Sequence, residues 1–247
     1  MNGTLHHGDA LTIMREMPSE SVGMVVTSPP YNFRNSTGGG FKNPSGPKHH
    51  TPKLTDGYDG HSDNLPRDEY VALQRACLKE MLRILSPDGA IFWNHKYRVQ
   101  NGLLQDHSDI LDGFPVRQII IWKGSTGINY NPGYFLPNYE VVYLICPKAF
   151  RLRDRANILG CIWDIWPDRN NPHPCPFPVE LARICIKSTP DHLEPVLDPF
   201  MGSGTTAAAA QECGRSWIGI EQSLKYVEMA KNRLENGPLL KKVDHAV

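Results

Sequence analysis

Short apolar runs rich in Val, Ile and aromatic residues alternate along the chain with longer stretches in which apolar residues return every third or fourth position. The first kind predicts buried strands at Val22 to Ser28, Ala90 to Asn94, Arg117 to Lys123, Glu140 to Cys146, Pro195 to Phe200 and Ser216 to Glu221. The second predicts helices. Arg67 to Leu85 places Tyr70, Leu73, Cys77, Met81, Ile84 and Leu85 on one face behind Pro66, and Ser86-Pro87-Asp88-Gly89 reads as its stop. Phe177 to Lys187, Thr205 to Cys213 and Leu224 to Glu235 follow, the last closed by Asn236-Gly237. Strands and helices in alternation, with no internal repeat, predict an α/β fold: a doubly wound, mostly parallel sheet covered by helices on both faces, built as one domain over residues 1–247.

Two stretches break the pattern. Phe33 to Leu65 holds Pro44, Pro47, Pro52 and Gly38-Gly39-Gly40, the composition of a long loop. Within it Arg34, Lys42, Lys48 and Lys53 meet no acid up to Thr55. The second stretch, Lys148 to Arg155, sets Lys148, Arg151, Arg153 and Arg155 against Asp154 alone. Both are candidate contacts to phosphates, with solvated surface charge as the alternative reading. Any such footprint has to be local, because 26 basic and 26 acidic side chains cancel over the whole chain.

Composition narrows the class further. No apolar run approaches the roughly 18 residues of a membrane span, and Met1 to Asp9 lacks the pattern of an export signal, so a cytoplasmic protein is expected. Six cysteines without a C-x-x-C pair read as reduced, mostly buried thiols. Of the ten histidines His6-His7 and His49-His50 are adjacent pairs, and no H-x-x-x-H pair sits on a recognisable helix, so no metal is expected.

Two constellations carry chemistry. Leu197-Asp198-Pro199-Phe200-Met201-Gly202-Ser203-Gly204-Thr205-Thr206 is a strand end, two glycines one residue apart, and a helix start. Glycines let backbone approach a ligand, and the helix terminus offers free N–H groups suited to a carboxylate. Glu221 ends the next strand about 20 residues on, where folds of this kind place a ribose-binding acid. No G-K-[ST] follows, which favours a nucleoside without a phosphate chain. In Val25-Val26-Thr27-Ser28-Pro29-Pro30-Tyr31-Asn32 an apolar strand breaks into a double proline. The prolines fix the Ser28 hydroxyl and the Pro29 carbonyl as two directed acceptors, to which a flipped base could present an amino group while Tyr31 stacks on its face. A stiff turn with a capping serine is the plainer reading.

Taken together these segments resemble the amino-directed DNA methyltransferases. Ser28-Pro29-Pro30-Tyr31 is similar to their (Asp/Asn/Ser)-Pro-Pro-Tyr motif, Asp198 to Thr206 to their cofactor loop, and the order of the two to their permuted β group. His6-His7-Gly8-Asp9-Ala10, Leu85 to Ala90, His173 to Pro178 and Gly219-Ile220-Glu221 with Tyr226, Ala230 and Arg233-Leu234 extend the likeness over nearly the whole chain. The resemblance implies a seven-stranded, circularly permuted Rossmann-like sheet and S-adenosyl-L-methionine as cofactor. It implies that Asp198, Pro199, Phe200, Gly202, Ser203, Gly204, Thr205 and Thr206 line the methionine end, that Glu221 holds the ribose, and that Asp9 lies near the adenine. Ser28, Pro29, Pro30 and Tyr31 would hold the target base. The implied partner is double-stranded DNA, with a cognate restriction endonuclease and a monomeric or dimeric state as further expectations for a bacterial, archaeal or phage protein. Family members usually carry a larger recognition region than residues 147–172 allow, so the basic loop 33–65 is expected to share that task or the site to be short.

An aromatic amine is a weak nucleophile because its lone pair is delocalised, and acceptors on its hydrogens restore that pair for attack on the sulfonium methyl. Serine at the head of the motif is, in the family, most often associated with N4 of cytosine, and N6 of adenine is the second reading. An inactive DNA-binding relative and an RNA or protein-glutamine methyltransferase are the remaining alternatives. Pro174-Cys175 resembles the nucleophile of cytosine C5 enzymes, but the segment order and its setting among prolines favour packing.

Overall fold

The computed structural model describes residues 2–32, 64–100, 102–124, 133–166 and 177–236. Its elements run β1 (Gly3–His7), α1 (Ala10–Glu16), β2 (Val22–Thr27), α2 (Arg67–Ile84), β3 (Leu85–His95), β4 (Arg98–Gln100), β5 (Leu103–Gln105), α3 (Ser108–Leu111), β6 (Val116–Lys123) and β7 (Tyr139–Ile145). After a 3-10 turn at Ala156–Leu159 come β8 (Ile162–Asp164), α4 (Val179–Lys187), β9 (Val196–Asp198), α5 (Thr205–Glu212), β10 (Trp217–Glu221) and α6 (Leu224–Asn236).

Why β2 is buried at every position is plain from its two faces. Met24 and Val26 join a core with Leu181, Ala182, Cys185 and Ile186 of α4, while Val22 and Val25 join a second core with Met14 of α1 and Tyr70, Cys77, Leu78 and Met81 of α2. In β3 the same alternation sends Ala90 and Phe92 one way and Ile91 and Trp93 the other. A strand buried on both faces thus accounts for the continuous hydrophobic runs, each large side chain contributing about 1.5–3 kcal/mol on burial. The sheet order is β1-β10-β9-β2-β3-β7-β6-β8, with β7 antiparallel to β3 and β6 and all other pairs parallel.

The doubly wound, mostly parallel α/β sheet is as expected, with eight strands where seven were expected. The short β8 on the edge lies inside the segment 147–172. Two local expectations need correction. Ser86 to Gly89 does not separate helix from strand, because Leu85 is already extended and pairs with Val22; the extra residues are absorbed as an irregularity before Met24 meets Ala90. On α2 the buried stripe takes Gln74 and Leu78, and Leu73 is only partly covered. Helix α6 runs through Asn236, and the expected stop at Gly237 lies outside the described residues, as do residues 33–63 of the basic loop and 173–176 of the proline-rich segment.

The functionally decisive feature is where the winding reverses. From β2 the chain moves to β3 on one side, whereas from β9 it moves to β10 on the other, although β2 and β9 are neighbours. In open sheets of this kind the helices part at such a point and leave a crevice beyond the carboxyl ends of the two strands. Among the described residues no helix is long and apolar enough to cross a membrane.

Candidate active site

The crevice is bordered by the serine turn leaving β2 and the glycine loop leaving β9. Two contacts cross between them: Thr27 Oγ1 donates to Asp198 Oδ1 at 2.7 Å, and Thr206 Oγ1, which within the loop lies 2.7 Å from Asp198 Oδ2, is 3.1 Å from the Val26 carbonyl. Residues 171 positions apart are therefore in direct contact. Asp198 also accepts from the Phe200 amide at 3.1 Å, and at 2% exposure it lies beneath the loop rather than on its surface. Burial raises its carboxyl to about 6, against the pull of the Thr206 and Thr27 hydroxyls and the Phe200 amide.

The serine turn is clamped along its length. Tyr70 donates to the Pro30 carbonyl at 3.0 Å and shares a 2.7 Å hydrogen bond with His95 Nε2. Asn32, in the left-handed region at φ 58°, exchanges two 2.8 Å bonds with Leu65, closing the base of the 33–65 loop against the turn, and its carbonyl accepts from Arg98. Ser28 remains partly exposed, and the Pro29 carbonyl accepts from none of the described residues. These are the two acceptors the sequence pointed to.

Around Ser28 stands a polar group that the sequence did not single out. Ser28 Oγ lies 2.5 Å from the Tyr31 hydroxyl, which donates to Glu140 Oε2 at 3.3 Å. Asn94, at the end of β3, turns its Nδ2 to the Tyr31 hydroxyl (2.7 Å), Glu140 Oε2 (3.1 Å) and Ser28 Oγ (3.4 Å). Lys96 stands 3.8 Å from Glu140 Oε1. The Glu140 side chain is 12% exposed, and burial pushes its carboxyl above the ordinary range while Lys96, Asn94 and Tyr31 draw it back. The expectation that Tyr31 stacks on a base meets a different arrangement. Tyr31 is 3% exposed, its ring lies 4.6 Å from His95 at 27°, and its hydroxyl meets Ser28 and Glu140. His95 and His107, 3.9 Å apart by ring centroids, are held neutral, since burial lowers both, His107 to about 3.

On the other bank Gly202 (φ 51°) and Gly204 (φ 79°) carry the chain into α5. Gly204 is the N-cap and no side chain caps the helix, leaving its first amides to a ligand. A side chain there would be strained by φ and would meet Ala230 Cβ at 3.2 Å and Met201 Cε at 3.3 Å. Arg233 braces the loop from α6 through Thr205 Oγ1 (3.1 Å) and Ser203 (3.4 Å). Glu221 closes the arc: its oxygens accept from the Gly202 and Ser223 amides at 2.8 Å each, and each keeps a further lone pair. Burial raises this carboxyl too, against the backbone amides that favour its charge. Gly8 N–H donates to the Glu221 carbonyl at 3.0 Å, which brings Asp9 alongside. There Asp9 caps α1 through Thr12 N (2.8 Å) and Thr12 Oγ1 (2.7 Å).

The basic candidates fall elsewhere. Arg34, Lys42, Lys48 and Lys53 lie outside the described residues. Arg151, Arg153 and Arg155 follow the C-terminal end of the antiparallel β7, about 17 Å of strand away from Glu140. Arg151 donates to the carbonyls of Lys148 (2.6 Å) and Phe150 (2.8 Å), and Arg153 pairs with Asp191. With Arg117 they line a cavity of about 340 Å³ at the end of the sheet opposite Ser28. The guanidinium groups of Arg151 and Arg153 are engaged in the local fold, whereas Arg155 is exposed and makes no side-chain hydrogen bond or ion pair among the described residues.

Comparison with known proteins agrees with this geometry. A family model described as DNA methylase matches residues 22–232. The type II methyltransferase M.BglII of Bacillus subtilis is 26% identical over 274 aligned positions, spanning 95% of this chain and 69% of that protein. A DNA modification methylase of Thermus thermophilus, solved in complex with S-adenosyl-L-methionine, is 26% identical with a TM-score of 0.66, covering 96% of this chain and 95% of the other. The cytosine-N4-specific PvuII DNA methyltransferase shares the fold at a TM-score of 0.72 and 19% identity, covering 100% and 89% of the two chains.

Proposed function

The chain belongs to the N6/N4 DNA methylase family, and from that premise we propose that it moves the methyl group of S-adenosyl-L-methionine to N4 of a cytosine swung out of DNA. The observation that carries this reading is the meeting of the Ser28 turn and the Gly202–Gly204 loop across one crevice, through Thr27, Asp198 and Thr206.

The residues present fit the cofactor. The uncapped amides at the start of α5 suit its carboxylate, the spare lone pairs of Glu221 suit ribose hydroxyls, and Asp9 borders the place left for the adenine. When bound, S-adenosyl-L-methionine supplies an electrophilic methyl group on a sulfonium. Asp198, Thr206 and Arg233 hold the loop from beneath, and Gly202 and Gly204 keep its surface free of side chains. Ser28 Oγ and the Pro29 carbonyl accept the two amine hydrogens, drawing the nitrogen toward tetrahedral geometry and its lone pair toward the methyl. Holding the two reactants in line supplies up to about 7–11 kcal/mol of the barrier. Neither a metal ion nor a covalent adduct to the protein enters this sequence. Serine, a neutral acceptor, heads the motif in place of the acidic residue, and on this the choice of cytosine rests.

The test is direct. Unmethylated genomic DNA treated with the protein and S-adenosyl-L-methionine, digested to nucleosides and resolved by mass, is expected to yield N4-methylcytosine. N6-methyladenine overturns the choice of base, and no methylated nucleoside overturns the activity.

A further inference from the structure

We propose that Glu140 is a positioning residue for the transfer: acting through Tyr31, it fixes the Ser28 hydroxyl as an acceptor toward the substrate amine and takes up the proton that the amine releases. The inference rests on the methyl-transfer reading above but not on which base receives the group.

The direction of each hydrogen bond follows from what its partners can do. A carboxylate only accepts, so the Tyr31 hydrogen points to Glu140 Oε2. The Asn94 Nδ2 amide only donates, and at 2.7 Å it occupies one lone pair of the Tyr31 oxygen. The other lone pair takes the hydrogen of Ser28, 2.5 Å away. With that hydrogen turned inward, Ser28 presents lone pairs to the crevice. A protonated Glu140 could instead donate to Tyr31, whose hydrogen would turn to Ser28, whose own hydrogen would then face the amine it has to accept from.

The same chain disposes of the proton. The amine nitrogen forms its bond to the methyl carbon, the carbon–sulfur bond breaks with its electron pair going to sulfur, and one N–H bond breaks with its pair returning to nitrogen. That proton passes to Ser28 Oγ as Ser28 gives its own to Tyr31 and Tyr31 gives its own to Glu140. Among the described residues the groups facing Glu140 are Lys96 beyond the end of β3, Asn94 on β3 and Tyr31 on the turn. Its register partner on β6 is the uncharged Trp122, and His95 behind Tyr31 is neutral. Burial raises the Glu140 carboxyl above the ordinary carboxylate range, so ionised Glu140 is gained, and the rate with it, as pH rises through that displaced value.

Single-turnover methyl transfer as a function of pH tests this, alongside binding of S-adenosyl-L-methionine and DNA. The wild type is expected to show a limb of unit slope on the acid side. Glu140→Gln is expected to lose about 100-fold in the plateau rate and to lose the limb, with both dissociation constants changed by less than about two-fold. Tyr31→Phe, which cuts the connection while leaving Glu140 in place, is expected to lose the limb as well, and the double variant to be no slower than the slower single variant. A wild-type rate or a retained limb in Glu140→Gln, or losses that multiply in the double variant, overturns the inference. Should Glu140→Gln fail to fold, a limb that persists in Tyr31→Phe overturns it alone. A wild type that transfers no methyl group overturns instead the reading on which it rests.

Discussion

At one end of the central sheet three carboxylates, Glu140, Asp198 and Glu221, stand where β7 begins and where β9 and β10 end, each with burial raising its carboxyl. At the other end Arg117, Arg151, Arg153 and Arg215 crowd together, and their guanidinium groups are consumed by the carbonyls of Pro147, Lys148, Phe150 and Leu193 and the carboxylates of Asp191 and Glu194. The arginine end has the conspicuous charge in the sequence, yet these four arginines serve to close loops. The carboxylate end holds few charges, but they are desolvated and retain acceptor capacity. In this fold charge density marks where loops are fastened, and partly satisfied polar groups mark where chemistry is arranged.

The comparison can be sharpened first at Asp198. Its carboxyl is raised to about 6 in the fold from an ordinary 3.8. A raised folded value favours the fold while the group is protonated, so this contribution is full below about 4 and is lost as pH climbs through about 6. The loss is on the order of 3 kcal/mol. Asp198→Asn keeps an acceptor for Thr27, and Thr206 can turn its hydrogen to the Val26 carbonyl already 3.1 Å away. Urea unfolding at pH 4 and pH 7 is expected to show wild type losing more stability than the variant over that interval; equal losses would mean that the site is not desolvated. A smaller effect is expected at the opposite end. Arg151→Ala should lower stability by about 1 kcal/mol by freeing the Lys148 carbonyl and leaving the Phe150 carbonyl to Arg117 alone. DNA affinity and its salt dependence should be unchanged, whereas loss of a phosphate contact would reduce the salt slope by about 1.

How much of this was legible in the sequence follows the same division. Doubly buried β2 and β3 announce themselves because both faces need apolar residues, and the turns after β2 and β9 carry prolines and glycines whose backbone demands are local. Strand β1 gives no such signal: apart from the partly buried Leu5, Thr4 to His7 is polar and exposed, being an edge held by backbone pairing to β10. Strand β8, three residues long at the other edge, has too little length for a pattern. The grouping of Asn94 and Glu140 was hidden for a different reason. It depends on antiparallel pairing of β3 with β7 across 46 residues, which no local spacing encodes. A retrospective sign exists, an acid in the second position of the otherwise uncharged β7. The basic run at Lys148 to Arg155 is ambiguous in sequence because it reads the same whether its partners are phosphates or the chain's own carbonyls.

The most direct test is to measure S-adenosyl-L-methionine affinity and single-turnover transfer in parallel for Ser28→Ala and Glu221→Ala. If the two banks of the crevice divide the work, Ser28→Ala loses about 100-fold or more in transfer and leaves the dissociation constant within about two-fold, while Glu221→Ala weakens binding by about 10-fold or more. Equal losses of binding and transfer in Ser28→Ala, or unaltered transfer in that variant, would contradict a serine turn and a glycine loop acting on one shared pair of substrates.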